Sequence, residues 1–482
     1  MSMKNKSKII IAEGHRAPTT RRDFLRYGII PFAGHVLMPG LLSQMLMSLV
    51  SKNTLAGPQT ESQGYIPFLV FDMAGGAALP GNFLVGKSGG PEDLIDSYET
   101  LGWNPRASGA LDKSFGVPMS KNDSQILAGI RQGATPQALA NLRMGTFCHF
   151  SQDDTSSNLL SALTLVSRAG LQGRYFRNGV GARYFVDGVL SGNSLSGGHS
   201  DGSLKDSQYK PLFVQTALDI QGSVSHGPAF DRFSDDEIRS VSRAISDLSA
   251  EQMKKLGKMK GGEALTQIAG RSYQATLPYG KTVEALDARR DQNVAEVYQL
   301  NQNAGLSGDN QVFGSIAYNV LQGHTGPGAI TIGGCDYHAP MKPEVGQQKD
   351  FEMGLQIGRA VELAYRLKKP LFFQLVTDGG VASLPGTRIW NSDSNVSGLT
   401  VVGYYNPNSV PQQRRFQVGE YNNVGTVNQD NALVGGDVDT APSRVADAVL
   451  VNYLSVCGKT GEYEKAGRQM FRTAELDSVL IF

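Results

Sequence analysis

The chain has 482 residues, room for one large α/β domain or two to three smaller ones. Its 45 Lys and Arg nearly cancel its 44 Asp and Glu, and the formal charge of +1 excludes a broad nucleic-acid surface. The three cysteines, Cys148, Cys335 and Cys457, form no CxxC pair, which excludes a zinc knuckle, a thioredoxin-type motif and a disulfide framework.

The first predicted element is a leader. In "TTRRDFLRYGIIPFAGHVLMPGLLSQMLMSLV" (19–50), Arg21 and Arg22 precede Phe24 and Leu25 and then a mostly apolar run. This resembles a twin-arginine export signal, whose pattern is filled by Thr20, Arg21, Arg22, Phe24, Leu25 and Arg26, with Arg26 where Lys is more usual. A basic amphipathic helix followed by a buried one is the other reading. Pro31, His35 and Pro39 break the apolar run, so no stable membrane span is expected in the mature form. "TLAG" (54–57) offers small residues for cleavage, and the absence of cysteine here excludes a lipoprotein anchor. The resemblance implies passage, already folded, through the twin-arginine export machinery to the periplasm or cell envelope. Residues 1–56 are therefore set apart from 57–482.

Beyond the leader, "YIPFLVFDMAGG" reads as a buried strand ending at Asp72 and a glycine turn. "NLRMGTFCHF" (141–150) is a second strand, followed by a helix in "SSNLLSALTLVSRAG". "YKPLFVQTALD" and "GAITIGGCD" are further strands. Residues 233–305 are charged, poor in glycine and helical in period. Ser234 and Glu237 form a capping box at their start, which predicts a helical insertion. Residues 351–367 form a helix whose stripe is Met353, Ile357, Val361, Ala364 and Leu367, with Gly354 and Gly358 permitting close packing. "PLFFQLVTD" (370–378) and "LTVVGYY" complete the strands. The alternation predicts an α/β fold, a mostly parallel sheet with helices on both faces.

Sites in such sheets form at the carboxyl ends of strands. Asp72, Asp336 and Asp378 all fall at predicted strand ends, and His338 stands two residues after Asp336. Singly each acid is an ordinary turn former. Together, with a histidine, they suit a divalent metal such as Mg²⁺, Ca²⁺, Mn²⁺ or Zn²⁺. In "HFSQDDTSSNLL" (149–160), Thr155, Ser156 and Ser157 follow Asp153 and Asp154 at the expected start of a helix. A hydroxyl there serves either as a nucleophile activated by a metal or as a plain helix cap. His149, expected to follow its strand, is the remaining histidine best placed for a site. His199, His226 and His324 read as solvated loop residues.

These residues in this order resemble a family of exported bacterial proteins, a domain of unknown function within the alkaline phosphatase and sulfatase superfamily. "LVFDMAGG" resembles that family's first strand and Gly-Gly turn. "GGCDYH" resembles its Gly-Gly-Trp-Asp-Thr-His motif, and "GTVNQDNALVGG" (425–436) its Gly-Thr-Asp-His-Gly segment. The resemblance implies an alkaline-phosphatase-like sheet. It also implies Asp72, Asp336, His338 and Asp378 as metal ligands and Thr155 or Ser156 as the nucleophile. The chain departs from alkaline phosphatase at Gly379, where a histidine is expected. No histidine follows His338, and "NQDN" leaves Asn428 and Asp430 as oxygen donors where an Asp-His is expected. Two functions are implied: metal-dependent hydrolysis of a small-molecule phosphate or sulfate ester, or non-catalytic binding of an envelope protein partner by the same fold.

Overall fold

In the computed structural model of the chain, the described residues are 64–87, 90, 92–95, 98, 107–150, 160–182, 211–224, 284–300, 305–335, 343–377, 381–383, 390–392, 397–422, 428–431, 441–467 and 469–482. The leader lies outside them. Among them one sheet contains ten strands: β1 (Phe68–Met73), β2 (Leu142–Phe150), β3 (Val180–Ala182), β4 (Leu212–Val214), β5 (Gly328–Ile332), β6 (Leu371–Thr377), β7 (Val381–Ser383), β8 (Trp390–Ser392), β9 (Ser397–Tyr405) and β10 (Gln417–Val418). The helices that matter here are α1 (Gln125–Gly133), α2 (Leu163–Ala169), α3 (Asp309–Leu321), α4 (Pro343–Leu367) and α5 (Ala441–Val456).

β1 is central, paired in parallel with β5 on one side and β6 on the other, and β3 and β4 continue the parallel set beyond β5. The "LTVVGYY" strand, β9, runs antiparallel to β6, and β2 runs antiparallel to β9, so β2 points the same way as β1. The fold is thus α/β with a mostly parallel sheet, as expected. The reversed β9 is a feature that no local pattern encodes, because strand direction is set by the connection.

Every residue of β1 is buried, which is why its sequence is almost continuously apolar. Leu69, Phe71 and Met73 join the core under α1, α3 and α4, while Phe68 and Val70 join the core under α2, α5 and the C-terminal residues. Burying each such large apolar side chain contributes about 1.5–3 kcal/mol.

Gly354 and Gly358 do permit close packing, and the partner is α1. A Cβ on Gly354 would sit 2.2 Å from Ile126 O, and one on Gly358 would sit 2.4 Å from Ile130 O. The contact is reciprocal. A Cβ on Gly129 would sit 2.3 Å from Phe351 O, and one on Gly133 would sit 2.5 Å from Leu355 O.

Of the 233–305 segment, residues 284–300 and 305 are described, the former as a continuous stretch. That stretch forms short helical turns and the helix Gln292–Val297, joined to α4 through Glu296 and Arg366. Among the described residues no helix is long and apolar enough to cross a membrane.

Candidate site at the carboxyl edge of the sheet

The register places the ends of three parallel strands level with one another. Met73 of β1 pairs with Ile332 of β5 and with Thr377 of β6, one step past the pairs Asp72 to Thr331 and Asp72 to Val376. β2 ends at the same edge. Across β9, Thr146 stands level with Leu375, and Phe150 lies four residues further on. The strands that lead into Asp336, Asp378 and the Thr155–Ser156 cluster therefore all terminate on the side where Asp72 sits.

Asp72 is wholly buried. By alternation its side chain shares the face of Phe68 and Val70, as Thr331 does on β5, and Thr331 Oγ1 donates to Asp72 Oδ2 at 3.3 Å. The turn after β1 is stitched to both neighbours. Ala74 N donates to Ile332 O at 3.0 Å, and Cys335 N donates to Ala74 O at 3.1 Å. Thr377 Oγ1 donates to Met73 O at 2.9 Å and accepts from Ala77 N at 2.6 Å. Gly75 and Gly76, at φ 115° and 91°, supply the backbone that lets the chain fold over the strand ends.

Two further anchors carry no motif. Gln374 is buried in β6 on the Asp72 face. It accepts from Ala162 N at 3.0 Å and donates to Leu160 O at 2.8 Å, so the chain that resumes after the 151–159 segment is fastened to that face. On the opposite face, Asn82 donates to Asp350 Oδ2 at 2.8 Å and accepts from Ser124 Oγ at 2.9 Å and from Ile126 N at 3.1 Å. This ties the turn after β1 to α4 and to the amino end of α1. Cys335 lies beside this group. Its thiol donates to Ile332 O at 3.4 Å, and burial, then the Asp350 carboxylate, pushes its pKa well above the ordinary value. Gln374 is the one polar side chain amid the apolar run "PLFFQLV", a signal that could have been read. Asn82 and Asp350 are 268 residues apart, and nothing local marks them as partners.

Several expectations need correction. His149 does not follow its strand. It lies within β2, buried, with Nε2 3.1 Å from Thr400 Oγ1, and its ring fills the space that a Cβ on Gly398 would need. His324 is not a solvated loop residue but is packed between the Tyr175 and Tyr318 rings. The helix after β2 begins at Leu163 with Ala162 as its cap, so its amino end is not at Thr155–Ser157.

Thr155, Ser156, Asp336, His338 and Asp378 lie outside the described residues, as do His199 and His226. Asn428 and Asp430 fall on a strand, Asn428–Asn431, paired with Glu420–Asn422. Among the described residues no group of three or more His, Cys, Asp or Glu side chains could hold a metal. A cavity of about 170 Å³ opens at the other, amino edge, between Tyr65, Leu171, Val320, Thr325 and Lys369, and has no part in the strand-end cluster. No family model, curated protein or solved structure matches the chain.

Proposed function

We propose that the carboxyl edge is the working site of an exported, alkaline-phosphatase- and sulfatase-like protein that hydrolyses phosphate or sulfate esters with a divalent metal. The observation that carries this reading is the level ending of β5, β1 and β6 around a wholly buried carboxylate, Asp72. Asp378 is the next residue after β6, and Asp336, with His338 two further on, follows β5 by four. The donors at this edge, three carboxylates, one imidazole and the Thr331 hydroxyl beside Asp72, are mostly hard oxygens. They fit Mg²⁺, Ca²⁺ or Mn²⁺, with Zn²⁺ less favoured.

In this reading Asp72, Asp336, His338 and Asp378 hold the ion, and Thr155 or Ser156 attacks phosphorus or sulfur. The bound ion would supply charge for the developing oxyanion and lower the pKa of the attacking hydroxyl. The second reading, a non-catalytic descendant that binds an envelope protein, is favoured by the absence of any histidine after His338.

Elemental analysis of purified protein, with an aryl phosphate and aryl sulfate assay across divalent metals, tests both. We expect bound metal in the wild type, its loss in Asp72→Asn, and loss of most of the rate in Thr155→Ala or Ser156→Ala. Activity retained by both hydroxyl variants overturns the nucleophile. A folded wild type with neither metal nor activity leaves the binding-protein reading.

A further inference from the structure

The amino end of α3 lies against the middle of α4, and polar side chains that are buried or half-buried gather there. Arg359 is 7% exposed. Its Nη1 donates to Asn310 Oδ1 at 2.8 Å, and its Cζ lies 5.8 Å from the centre of the Tyr298 ring. Among the described residues no carboxylate forms an ion pair with it. One turn on along α4, Glu362 is engaged by Arg366 and by Thr135. Burial pushes the Arg359 guanidinium below its ordinary value, yet an arginine stays charged at any pH a protein meets. Among the described residues this cation thus meets a neutral amide and an aromatic ring, surroundings that leave its charge free to favour an anion.

Two more buried polar groups lie near Arg359 on the chain or in space. Tyr298 is fully buried, with an Oη that has no hydrogen-bond partner and that feels the Arg359 charge. Gln356 is 6% exposed, one turn before Arg359, and its Oε1 has no partner either. α3 precedes β5 and α4 follows it, so both helices run from the carboxyl edge to the amino edge. The capping position of α3 is Gly308, which offers no side-chain cap. Gln311 N and Val312 N turn back to Gly308 O, and the N–H groups of Asp309 and Asn310 remain for a ligand. The Asp309 side chain is exposed and makes no ion pair with Arg359.

We propose that this cluster binds a small oxyanion of the phosphate or sulfate class. The Arg359 guanidinium and the first N–H groups of α3 hold it, and the amides of Asn310 and Gln356 stand at its rim. The helix amino end and the guanidinium both favour an anion, and the Asp309 carboxylate of the first turn, which opposes one, is exposed to solvent. The inference does not rest on the ester-hydrolysis reading, because none of these residues belongs to the strand-end set.

The test is the melting temperature of the full chain with inorganic phosphate or sulfate, against chloride at matched ionic strength. With the anion well above its Kd we expect a rise of about 3 °C in the wild type. Arg359→Met should abolish the rise and Arg359→Lys should keep part of it. Asn310→Asp sets a carboxylate against the guanidinium. It should raise the melting temperature without any added anion and remove the response to one. Should Arg359→Met fail to fold, Asn310→Asp decides alone. No rise beyond chloride in the wild type overturns the proposal, as does a full response surviving in Asn310→Asp. Loss of the response in Asp72→Asn overturns it too, since the anion would then sit among the strand-end residues around Asp72.

Discussion

At the scale of single residues, His324 shows how context rewrites a side chain. Its Nδ1 lies 3.0 Å from Asn319 Oδ1, and two tyrosine rings enclose it. Burial, helped by the nearby Arg174 and Lys369 charges, lowers its pKa to about 4 from 6.5. Above pH 6.5 the folded and unfolded chains both hold it neutral, so it does not affect stability there. As pH falls from 6.5 toward 4 the unfolded chain takes up a proton that the folded one refuses, and stability falls. The ceiling on that loss is about 3 kcal/mol, from 1.36 kcal/mol per pKa unit. Denaturant midpoints at pH 7 and pH 4.5 should separate more in the wild type than in His324→Gln. Equal separations in the two proteins would mean that the imidazole titrates normally. Sequence alone cannot supply this, because Tyr175 and Tyr318 reach His324 from different parts of the chain.

At the scale of elements, the glycine contact between α1 and α4 sets how closely two helices lie over the sheet. In an exposed helix, replacing Gly by Ala gains about 1 kcal/mol of helix propensity. Here the new methyl group meets a backbone carbonyl, Ile126 O, at 2.2 Å, and a carbonyl cannot rotate away as a side chain can. Overpacking of this kind costs about 1–3 kcal/mol, so Gly354→Ala should be destabilising on balance. Urea unfolding reads the sign directly, and a midpoint at or above that of the wild type would show that the helices do not touch there. Half of this contact was legible, since the small residues on α4 stand out against its apolar stripe. The partner was not, because α1 is more than two hundred residues away in the chain. The same division runs through the sheet. β1, β2, β5 and β6 announce themselves as apolar runs. The three-residue strands β3 and β4 lie in or beside weaker runs, and the direction of β9 leaves no mark in its residues. At the candidate site the strand-end acids could be picked out because aspartate closing an apolar run is a local pattern. Gln374 holding Leu160 and Ala162, or Asn82 holding Asp350, exist only once distant strands are in register.

At the scale of the whole molecule, the fold closes only when the last residues arrive. β1 opens the described chain, yet its core on one face is completed by α5 and by the C-terminal Leu480, Ile481 and Phe482. Tyr453 of α5 donates to Ile66 O at 2.7 Å, and the Phe482 ring packs against Phe372 and Tyr404. Asn452 fastens this end with all four of its hydrogen-bonding positions. It donates to Ala448 O and Val479 O, each at 2.8 Å, and accepts from Ile481 N at 2.7 Å and Phe482 N at 3.1 Å. Removing a buried amide that satisfies so many groups costs about 1–3 kcal/mol for each partner left bare. The twin-arginine route proposed on "TTRRDFLR" carries proteins already folded, so on that proposal these contacts form before export. Two changes at opposite ends of the chain should therefore stop export for different reasons. Arg21→Lys with Arg22→Lys should leave folded, soluble protein in the cytoplasm, seen by fractionation and by resistance to protease. Asn452→Ala should leave the leader intact but reduce export in proportion to the unfolded fraction, and protease should now degrade what remains inside. Normal export of the double lysine variant would refute the twin-arginine reading. Normal export of an Asn452 variant shown to be unfolded would refute the claim that folding comes first.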